Sequence, residues 1–432
     1  MKQKLFVLSM DAMVREDIDY MLTKPNFRKI FGNRAEVLKV RSVYPASTYP
    51  AHTTLMTGCY PQKHGVYSNF ALQTVADGIS HWPTESSRIF AEDIFAAAKR
   101  AGCTTAAVFW PITGNNPNID HVINEYFFYY PNEDERIEET FAAQGADEVA
   151  LQAVRENLHL FPKAEGKRTP AEVMFDDFLM GCTCSLIRNA KPDVLLVHNS
   201  WPDTIRHKEG AFSRLFPVAL DHVDAWLGDV VKAMEDADVY EQTNFVLLSD
   251  HGQRDCTKAV NLNVLFEREG LIQLAPDGTI YTWLAYAQTN GMSTTVYLSD
   301  NTNEKLYERV YAVLKKLQEK SEYGIERIWT KKELAETYHQ SGPFSFIVEA
   351  VEDTLFTNAI TGEATEEIPT KGSHGYMPEK GPQPIFMGRG PAFRESATIE
   401  QANLVDVAPT LASILGEALP NADGSALTEL LK

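Results

Sequence analysis

Apolar runs of six or seven residues recur along the chain, and stretches with a helical pattern separate them. Residues 4–10, 193–198 and 244–249 are rich in valine, leucine and phenylalanine, which is typical of strands buried on both faces. Strands that alternate with helices favour a mostly parallel sheet sandwiched by helices. The sequence therefore predicts an α/β fold, in which ligands bind beyond the carboxyl ends of the strands.

The pattern changes between residues 255 and 370. There the sequence predicts a strand at 294–298 and a helix rich in lysine and glutamate at 303–320. A chain of 432 residues exceeds the usual size of one hydrophobic core, so a large domain with an insertion is expected. We predict that residues 1–254 and 371–432 form the α/β core. Residues 255–370 are predicted to form an inserted α+β cap, named the cap region below.

Composition limits the partners that the chain can bind. Forty lysines and arginines against fifty-nine acidic residues give a net charge of −19, which disfavours nucleic-acid polymers and anionic membranes. The first apolar run meets Asp11 and is too short for a signal peptide or a membrane span. Five scattered cysteines indicate a reduced, cytoplasmic protein, and the pair Cys182 and Cys184 is interpreted as structural thiols rather than a metal clip.

Carboxylate and imidazole side chains cluster at three places. Asp250 and His251 directly follow a predicted strand. Asp203 and His207 are four residues apart, so on a helix both side chains can face the same ion. His374 lies in a glycine-rich stretch. Zinc and other transition metals bind such mixed ligands, but each cluster alone also fits a capped turn, a solvated helix face or a flexible loop.

A turn with two hydroxyl residues leads into another predicted helix. Ser47 and Thr48 precede Pro50, which suits the first position of a helix that runs through Thr57 and stops at Gly58. The free N–H groups and the dipole at a helix N-terminus favour a phosphate or an alkoxide there. Thr48 is therefore either a candidate nucleophile or a residue that caps the helix.

The order of these residues along the chain resembles that of the alkaline phosphatase superfamily. Residues 48–52 look like the nucleophile motif of its nucleotide pyrophosphatase/phosphodiesterase family, and residues 56–66 look like the continuation of that motif. The resemblance spans residues 4–252 and resumes at 374–410. The residues that carry it are Asp11, Thr48 within T-x-P-x-H, Asp203-x-x-x-His207, Asp250-His251-Gly252 and His374.

This resemblance implies a two-metal hydrolase that uses a threonine nucleophile and a phosphothreonine intermediate. It implies two divalent ions, and the mixed ligands favour zinc over magnesium. Asn69 is expected to bind a nonbridging phosphate oxygen. His52 and His64 are expected to buttress the turn at residues 44–50, named the nucleophile turn below. The implied ligands are Asp11, Thr48, Asp250 and His251 for one ion, and Asp203, His207 and His374 for the other.

Two positions depart from the family pattern, and both bear on the substrate. Arg206 stands where the family commonly has glycine, and it is expected to alter the entrance to the site. Ala51 stands where many relatives carry asparagine. Phe70, Trp110 and Trp201 lie near motif residues in sequence and are candidates for an aromatic slot that binds a nucleotide or an aryl ester. Packing in the core is the alternative for each of these aromatic residues.

The resemblance favours a phosphodiesterase or nucleotide pyrophosphatase that acts on a small phosphorylated substrate. A phosphonoacetate hydrolase or a phosphomonoesterase of the same superfamily remains an alternative, and a pocket rich in lysine and arginine would favour the former. A sulfatase would carry cysteine or serine followed by arginine where this chain has Thr48 and His52. A metal-binding protein without catalysis is the alternative from another class, and turnover would distinguish it.

Overall fold

The computed structural model describes residues 3–72, 82–127, 136–162 and 175–432. Its strands, in chain order, are β1 Lys4–Met10, β2 Ala35–Arg41, β3 Thr105–Val108, β4 His121–Ile123, β5 Val194–Asn199, β6 Thr243–Leu248, β7 Arg254–Val260, β8 Ile272–Leu274, β9 Ile280–Trp283, β10 Ala285–Thr289, β11 Ser293–Leu298, β12 Ile325–Thr330, β13 Phe346–Ala350, β14 Asp353–Phe356, β15 Thr365–Ser373, β16 Phe386–Arg389 and β17 Thr398–Asn403. Its α-helices are α1 Ile18–Met21, α2 Pro25–Phe31, α3 Thr48–Thr57, α4 Pro61–His64, α5 Ile94–Arg100, α6 Ile137–Ala143, α7 Glu148–Asn157, α8 Asp176–Asn189, α9 Trp201–Glu209, α10 Phe216–Asp236, α11 Leu262–Arg268, α12 Glu304–Gln318, α13 Lys331–Tyr338 and α14 Val407–Ile414.

The largest sheet within these ranges has eight strands in the order β17-β2-β16-β6-β1-β5-β3-β4. Strand β1 lies between β5 and β6 and is parallel to both. Parallel pairing continues from β5 through β3 to β4. Only β16 runs antiparallel to its neighbours among the strands described in this sheet. The predicted α/β fold with a mostly parallel sheet is confirmed.

Strand β1 buries side chains on both faces of this sheet. Phe6 and Leu8 pack into a hydrophobic cluster with residues of α2, α8 and α10. Leu5 and Val7 point to the opposite face, where they pack with residues of α3, α5 and α14. Helices therefore cover both faces, which explains why the strand is an almost continuous apolar run.

Most predicted elements lie within a few residues of the observed ones, but the helix after the hydroxyl turn starts earlier than predicted. Ser47 is extended, with φ −138°, and Thr48 is the first helical residue, so Pro50 lies within the first turn. Proline is tolerated there because the first N–H groups of a helix have no partner within the helix. The helix ends at Gly58 as predicted, and this glycine has φ +69°.

Helix α8 begins at Asp176, shortly after a part of the chain that lies outside the described ranges. Cys182 and Cys184 lie on this helix, two residues apart, and therefore do not face each other. Burial raises the pKa of both thiols, which opposes the thiolate form that a metal requires. Their interpretation as structural thiols agrees with this environment.

The cap region contains sheets separate from the central one. Strands β10, β11, β13 and β12 form a four-stranded sheet, and β8 pairs with β9. Strand β7 pairs with both β14 and β15 in a third sheet. The predicted boundaries at residues 255 and 370 fall within β7 and β15, and the division of the chain into two domains stays a prediction. In the described part of the chain, no helix has the length and apolar character needed to cross a membrane.

Candidate active site

Three neighbouring strands bring polar side chains to one edge of the central sheet. Asp11 follows β1, Asp250 follows β6, and His198 is near the end of β5. The N–H of Asp11 donates to the carbonyl of Asn199 at 2.9 Å, so the ladder continues one residue beyond β1. Because parallel strands end at the same edge, residues that are distant in sequence meet there.

Asp11, Asp250 and His251 form the first cluster, and their ligand atoms lie within 4.8 Å of one another. His251 Nε2 is 3.5 Å from Asp11 Oδ1 and 3.1 Å from Asp250 Oδ2. The hydroxyl of Thr48 lies at the same place, with Oγ1 3.3 Å from His251 Nε2 and 3.5 Å from Asp11 Oδ2. The start of α3 therefore delivers a hydroxyl to a cluster of possible metal ligands.

The surroundings of this cluster do little to stabilise negative charge on its two carboxyl groups. Asp11 Oδ1 and Asp250 Oδ2 are buried, and neither has a hydrogen-bond partner among the residues described. Burial raises the pKa of Asp11 well above its ordinary value, and the charge of Asp250 raises it further. Burial also raises the pKa of Asp250. A divalent cation would compensate both charges and use the unpartnered oxygens, so the donor set fits a metal ion.

Asp203 and His207 face the same way on α9, as their spacing predicts, and His207 Nε2 is 3.3 Å from Asp203 Oδ2. His207 Nδ1 donates to the carbonyl of Gly372 at 2.8 Å, which directs Nε2 towards the carboxylate. Burial opposes charge on both groups, but their attraction raises the pKa of His207 and lowers that of Asp203. A cation could replace the proton that this pair shares.

The two clusters adjoin through two histidines. The ligand atoms of Asp203, His251 and His374 also lie within 4.8 Å of one another. The rings of His251 and His374 stack with centroids 4.2 Å apart, and the rings of His207 and His374 are 5.2 Å apart. The structure thus brings all seven predicted ligand residues together, although His251 lies within reach of both groups. The division into two ligand sets stays a prediction.

His52 lies directly behind the nucleophile turn. Its Nδ1 is 2.8 Å from the carbonyl oxygen of Thr48, and this nitrogen therefore carries the proton. Its Nε2 consequently accepts from Ser9 Oγ at 2.8 Å. The same Nδ1 is 3.4 Å from Asp250 Oδ2. These bonds connect the start of α3 to β1, in agreement with the buttressing role predicted for His52.

His64 has a comparable position at the other end of α3. Its Nδ1 accepts from the N–H of Val66 at 3.1 Å, so Nε2 carries the proton and donates to Thr54 Oγ1 at 3.1 Å. Burial lowers the pKa of His64 to about 3. The residue is therefore a neutral, structural histidine at physiological pH.

Asn69 approaches the nucleophile turn from a second loop. Its Oδ1 accepts from the N–H of Tyr49 at 2.9 Å. Because that oxygen is the acceptor, the NH2 of the Asn69 side chain is the group that could donate to a phosphate oxygen. The neighbouring residue Ser68 donates from Oγ to Asn290 Oδ1 at 2.7 Å, which anchors this loop to the cap region.

The three predicted aromatic residues of the substrate slot have different environments. Phe70 is half-buried, and its ring centroid is 4.3 Å from that of Trp82, which in turn lies 4.9 Å from Tyr49. Phe70 therefore belongs to an aromatic group beside the nucleophile turn. Trp110 is only 1% exposed and packs edge-on against His52 beneath that turn, so its predicted contact with substrate is wrong.

Trp201 is also occupied by contacts within the protein. Its ring stacks on His222 with centroids 5.2 Å apart and planes at 17°, and it meets Trp226 edge-on. These partners lie on α10, and the indole packs against the hydrophobic cluster on that face of the sheet. Trp201 is half-buried, so these contacts agree with the packing alternative, and its contact with substrate stays a prediction.

Arg206 does not alter the entrance to the site, contrary to expectation. It is 0% exposed, and its Nη2 lies 2.7 Å from both carboxylate oxygens of Asp17. Its guanidinium carbon is 3.7 Å from the ring centroid of Phe216. The bonds to Asp17 and the contact with Phe216 hold the guanidinium in the interior, although Arg206 is only three residues from Asp203 on α9. The residue instead joins α9 to the body of the core.

Sequence reasoning missed Gln253, which contacts the second cluster. Its Nε2 donates to the carbonyl oxygen of Asp203 at 3.1 Å and also bonds Asp203 Oδ1. Gln253 is fully buried and follows Asp250-His251-Gly252 directly, so its place in the motif was the available signal. His198 was missed as well, and its Nε2 lies 3.6 Å from Asp11 Oδ2.

Glu125 is a third residue that the sequence did not indicate. It is buried, and Tyr49 donates from its phenol to Glu125 Oε2 at 2.5 Å. Burial raises the pKa of Glu125 to about 8, so the carboxyl group is largely protonated at neutral pH. No motif surrounds this residue, and only the fold brings it next to the residue after Thr48.

Comparison with known proteins places the chain in a family. Residues 5–377 match the family described as type I phosphodiesterase/nucleotide pyrophosphatase. The chain belongs to this family. It is accordingly a hydrolase of the nucleotide pyrophosphatase/phosphodiesterase type, as the sequence predicted. The family is metal-dependent and typically uses two divalent ions, which agrees with the two ligand clusters.

Two curated relatives cover nearly the whole chain. Human ectonucleotide pyrophosphatase/phosphodiesterase family member 5 is 22% identical over 441 residues, which cover 97% of this chain and 76% of the relative. A bis(5'-adenosyl)-triphosphatase of Xenopus laevis is 23% identical over 421 residues, which cover 96% of this chain and 78% of the relative.

Solved structures of related proteins share the fold. Murine ectonucleotide pyrophosphatase/phosphodiesterase 5 superposes with a TM-score of 0.70 at 20% identity, and the match covers 100% of both chains. An inactive threonine-to-alanine variant of the murine protein, in complex with AMP, gives a TM-score of 0.68 at 20% identity and covers 100% of both chains. At this identity the likeness establishes the fold alone.

Proposed function

We propose that this protein is a two-metal phosphodiesterase or nucleotide pyrophosphatase in which Thr48 attacks phosphorus. The observation that carries the proposal is the position of Thr48 Oγ1, which lies 3.3 Å from His251 Nε2 and 3.5 Å from Asp11 Oδ2 at the first residue of a helix. A threonine hydroxyl is a weak nucleophile near neutral pH. Divalent ions at these ligands would supply the positive charge that favours its deprotonated form and balances the phosphate.

We assign both ions as zinc, because imidazole and carboxylate ligands suit zinc better than magnesium, which prefers oxygen ligands and retained waters. Gln253 and Gly372 would orient the second set through their bonds to Asp203 and His207. The proposed ligands are Asp11, Thr48, Asp250 and His251 for one ion, and Asp203, His207 and His374 for the other.

The proposed reaction has two displacement steps at phosphorus. In the first, Thr48 Oγ1 forms a bond to phosphorus while the bond to the leaving oxygen breaks, which yields a phosphothreonine. In the second, water attacks that phosphorus, the bond to Thr48 breaks, and the second product leaves. The NH2 of Asn69 and the start of α3 are placed to bind nonbridging oxygens during both steps.

The proposed substrate is a nucleotide or another small phosphodiester. The names of the relatives support this class, as does the inactive murine variant in complex with AMP. The aromatic group of Phe70 and Trp82 offers an apolar surface beside the nucleophile turn, on which a base or an aryl group could stack. The net charge of −19 disfavours nucleic-acid polymers. The cytoplasmic location stays a prediction.

A substrate panel on zinc-loaded protein tests this assignment. We expect cleavage of a phosphodiester or a dinucleoside polyphosphate to exceed cleavage of a phosphomonoester or of phosphonoacetate. Greater turnover of the monoester would instead identify a phosphomonoesterase, and greater turnover of phosphonoacetate would identify a phosphonate hydrolase. Absence of turnover with both ions bound would favour a metal-binding protein without catalysis.

Replacement of the nucleophile tests the chemical step. We expect Thr48→Ala to abolish turnover while most of the bound metal remains, because the carboxylates and imidazoles are still present. Thr53→Ala is the matched control, since Thr53 lies on the same helix and its hydroxyl donates to the carbonyl of Tyr49, at 2.8 Å, within the helix. Retention of turnover in Thr48→Ala would remove Thr48 from the mechanism.

A further inference from the structure

Tyr44 lies four residues before Thr48, is fully buried and packs in a hydrophobic cluster with residues of the cap region. Its phenol donates to Glu349 Oε2 at 2.9 Å, and its backbone carbonyl accepts from Gln340 Nε2 at 2.9 Å. Its ring lies 4.8 Å from that of Tyr338. These three partners belong to the cap region, so the cap holds the turn that precedes the nucleophile.

Gln340 joins two loops of the active site. Its Nε2 donates to the carbonyl of Tyr44 at 2.9 Å and to the carbonyl of Tyr67 at 3.0 Å. Tyr67 lies two residues before Asn69, so one amide group spans the loops that carry the nucleophile and the phosphate-binding side chain. Gln340 is 0% exposed, and its Oε1 accepts from the N–H of Ser341 at 2.9 Å, which determines the orientation of the amide.

Glu349 joins the nucleophile turn to the loop that carries His374. Its Oε1 accepts from the N–H of Met377 at 3.1 Å and lies 3.1 Å from Lys380 Nζ, while Oε2 accepts from Tyr44. Glu349 is 0% exposed, so water does not compete for these bonds. The carboxylate therefore holds three groups in fixed relative positions.

The turn between β10 and β11 forms a third connection. The N–H of Met292 donates to the carbonyl of His374 at 2.8 Å, and Ser293 Oγ donates to the carbonyl of Gly375 at 2.6 Å. Asn290, in the same turn, accepts from Ser68 at 2.7 Å. The cap region thus contacts each of the loops that carry Thr48, Asn69 and His374.

We propose that the cap region is a fixed part of the active site, and that Gln340 and Glu349 are positioning residues. They would set the distances between the Thr48 hydroxyl, the Asn69 amide and the His374 imidazole through the backbone of the three loops, without touching substrate. Opening the cap as a lid would break these buried hydrogen bonds together, which is costly because the separated groups lose their partners. This inference rests on the proposed function of Thr48, Asn69 and His374.

Two variants of the zinc-loaded enzyme test the positioning role. Gln340→Met keeps the length of the side chain but removes both donated bonds, and Tyr44→Phe removes only the phenol that bonds Glu349. We expect Gln340→Met to lower kcat about 10-fold, which corresponds to a rise of about 1.4 kcal/mol in the activation barrier. We expect Tyr44→Phe to lower kcat about 3-fold, because it removes only one hydrogen bond. KM and metal content should change less than about 2-fold, because neither residue binds substrate or an ion.

Asn263→Leu is the matched control. Asn263 is also a fully buried amide of the cap region, but its bonds to the N–H and carbonyl of Ala287, at 2.7 and 2.8 Å, remain within the cap. This variant loses comparable buried hydrogen bonds without a contact to the site loops. A positioning role predicts unchanged kcat in Asn263→Leu. Equal losses of kcat in Asn263→Leu and Gln340→Met would show that Gln340 contributes only to the general stability of the cap region, and would overturn the proposal.

Amide hydrogen exchange gives a readout that does not depend on turnover. We expect Gln340→Met to accelerate exchange in peptides that cover residues 44–48 and 66–69, and Asn263→Leu to leave them unchanged. Unchanged exchange and unchanged kcat in Gln340→Met would overturn the positioning role. If Gln340→Met does not fold, Tyr44→Phe tests the positioning role instead, because the loss of one oxygen atom leaves the packing in place. Wild-type kcat and wild-type exchange in Tyr44→Phe would overturn the role of Glu349.

The outcomes separate this inference from the proposed function. Wild-type turnover that depends on Thr48, together with full kcat in Gln340→Met and Tyr44→Phe, would overturn the positioning inference alone. A wild-type protein that hydrolyses none of the panel substrates would overturn the proposed function. In that case the exchange experiment still determines whether the cap holds the three loops.

Discussion

Replacement of Arg206 by methionine should destabilise the protein strongly although the residue lies outside the two clusters of candidate metal ligands. Arg206 and Asp17 are both buried, and one guanidinium nitrogen lies 2.7 Å from each oxygen of the carboxylate. Loss of one partner of a buried ion pair costs about 3–5 kcal/mol, because the other charge remains buried without compensation. With an unfolding entropy of about 0.9 kcal/mol/K for a chain of this length, the midpoint of thermal unfolding should fall by about 3–6 °C.

The destabilisation should depend on pH in a defined direction. Burial raises the pKa of Asp17 even in the presence of Arg206, whose charge lowers it. In Arg206→Met the opposing charge is absent, so the folded-state pKa of Asp17 rises further. A proton bound more tightly in the folded state contributes stability that is present below the unfolded pKa of about 3.9 and is lost as pH rises through the folded pKa. The deficit of the variant should therefore be larger at pH 8 than at pH 5.

Urea unfolding of four proteins at both pH values tests this reasoning. They are the wild type, Arg206→Met, Asp17→Leu and the double variant. We expect the double variant to be more stable than Arg206→Met, because it leaves no isolated charge in the interior. Two results would refute the view that this buried pair couples α9 to the core. One is a loss of unfolding free energy below about 1 kcal/mol in Arg206→Met, and the other is a double variant whose loss equals the sum of the two single losses.

Three further predictions concern the metal site and the loops around α3. Removal of divalent ions by a chelator should abolish turnover and lower the thermal midpoint, and zinc should restore both more completely than magnesium; full turnover after chelation would exclude a metal-dependent reaction. Gly375→Ala should reduce both turnover and stability, because Gly375 has φ +87° and a Cβ there would clash with the carbonyl oxygen of Asn290. Thermal unfolding followed by circular dichroism and a measurement of kcat check this prediction, and wild-type values of both would contradict it. Between pH 7 and pH 4.5, the free energy of unfolding should fall by about 2–3 kcal/mol more in the wild type than in His64→Gln. The reason is that the pKa of His64 is lowered to about 3 in the folded state, below the unfolded value of about 6.5. Such a histidine contributes stability above the unfolded pKa, and this stability is lost as pH falls. Urea titrations measure the loss, and equal losses in the two proteins would contradict the prediction.

Local pattern alone was sufficient for the strands and for pairs of ligands close in sequence. The run at residues 4–10 became β1, and Asp11 follows it at the sheet edge because parallel strands must end together. The spacing of Asp203 and His207 predicted a shared face on a helix, because successive turns of a helix place residues four apart next to each other. These features depend on backbone geometry over a few residues.

Only the tertiary structure determined which side chains face the site. Trp110 and Arg206 are near ligands in sequence, yet the first packs beneath α3 and the second points into the core. Conversely, Gln340 and Glu349 belong to no motif. They lie 296 and 305 residues after Tyr44 in the sequence, yet both contact it. Sequence periodicity specifies the face of an element that becomes buried, but the partner across a long loop depends on the packing of the whole chain. For this reason the sequence indicated the proposed ligands and the proposed nucleophile, whereas their connection to the cap region followed from the fold.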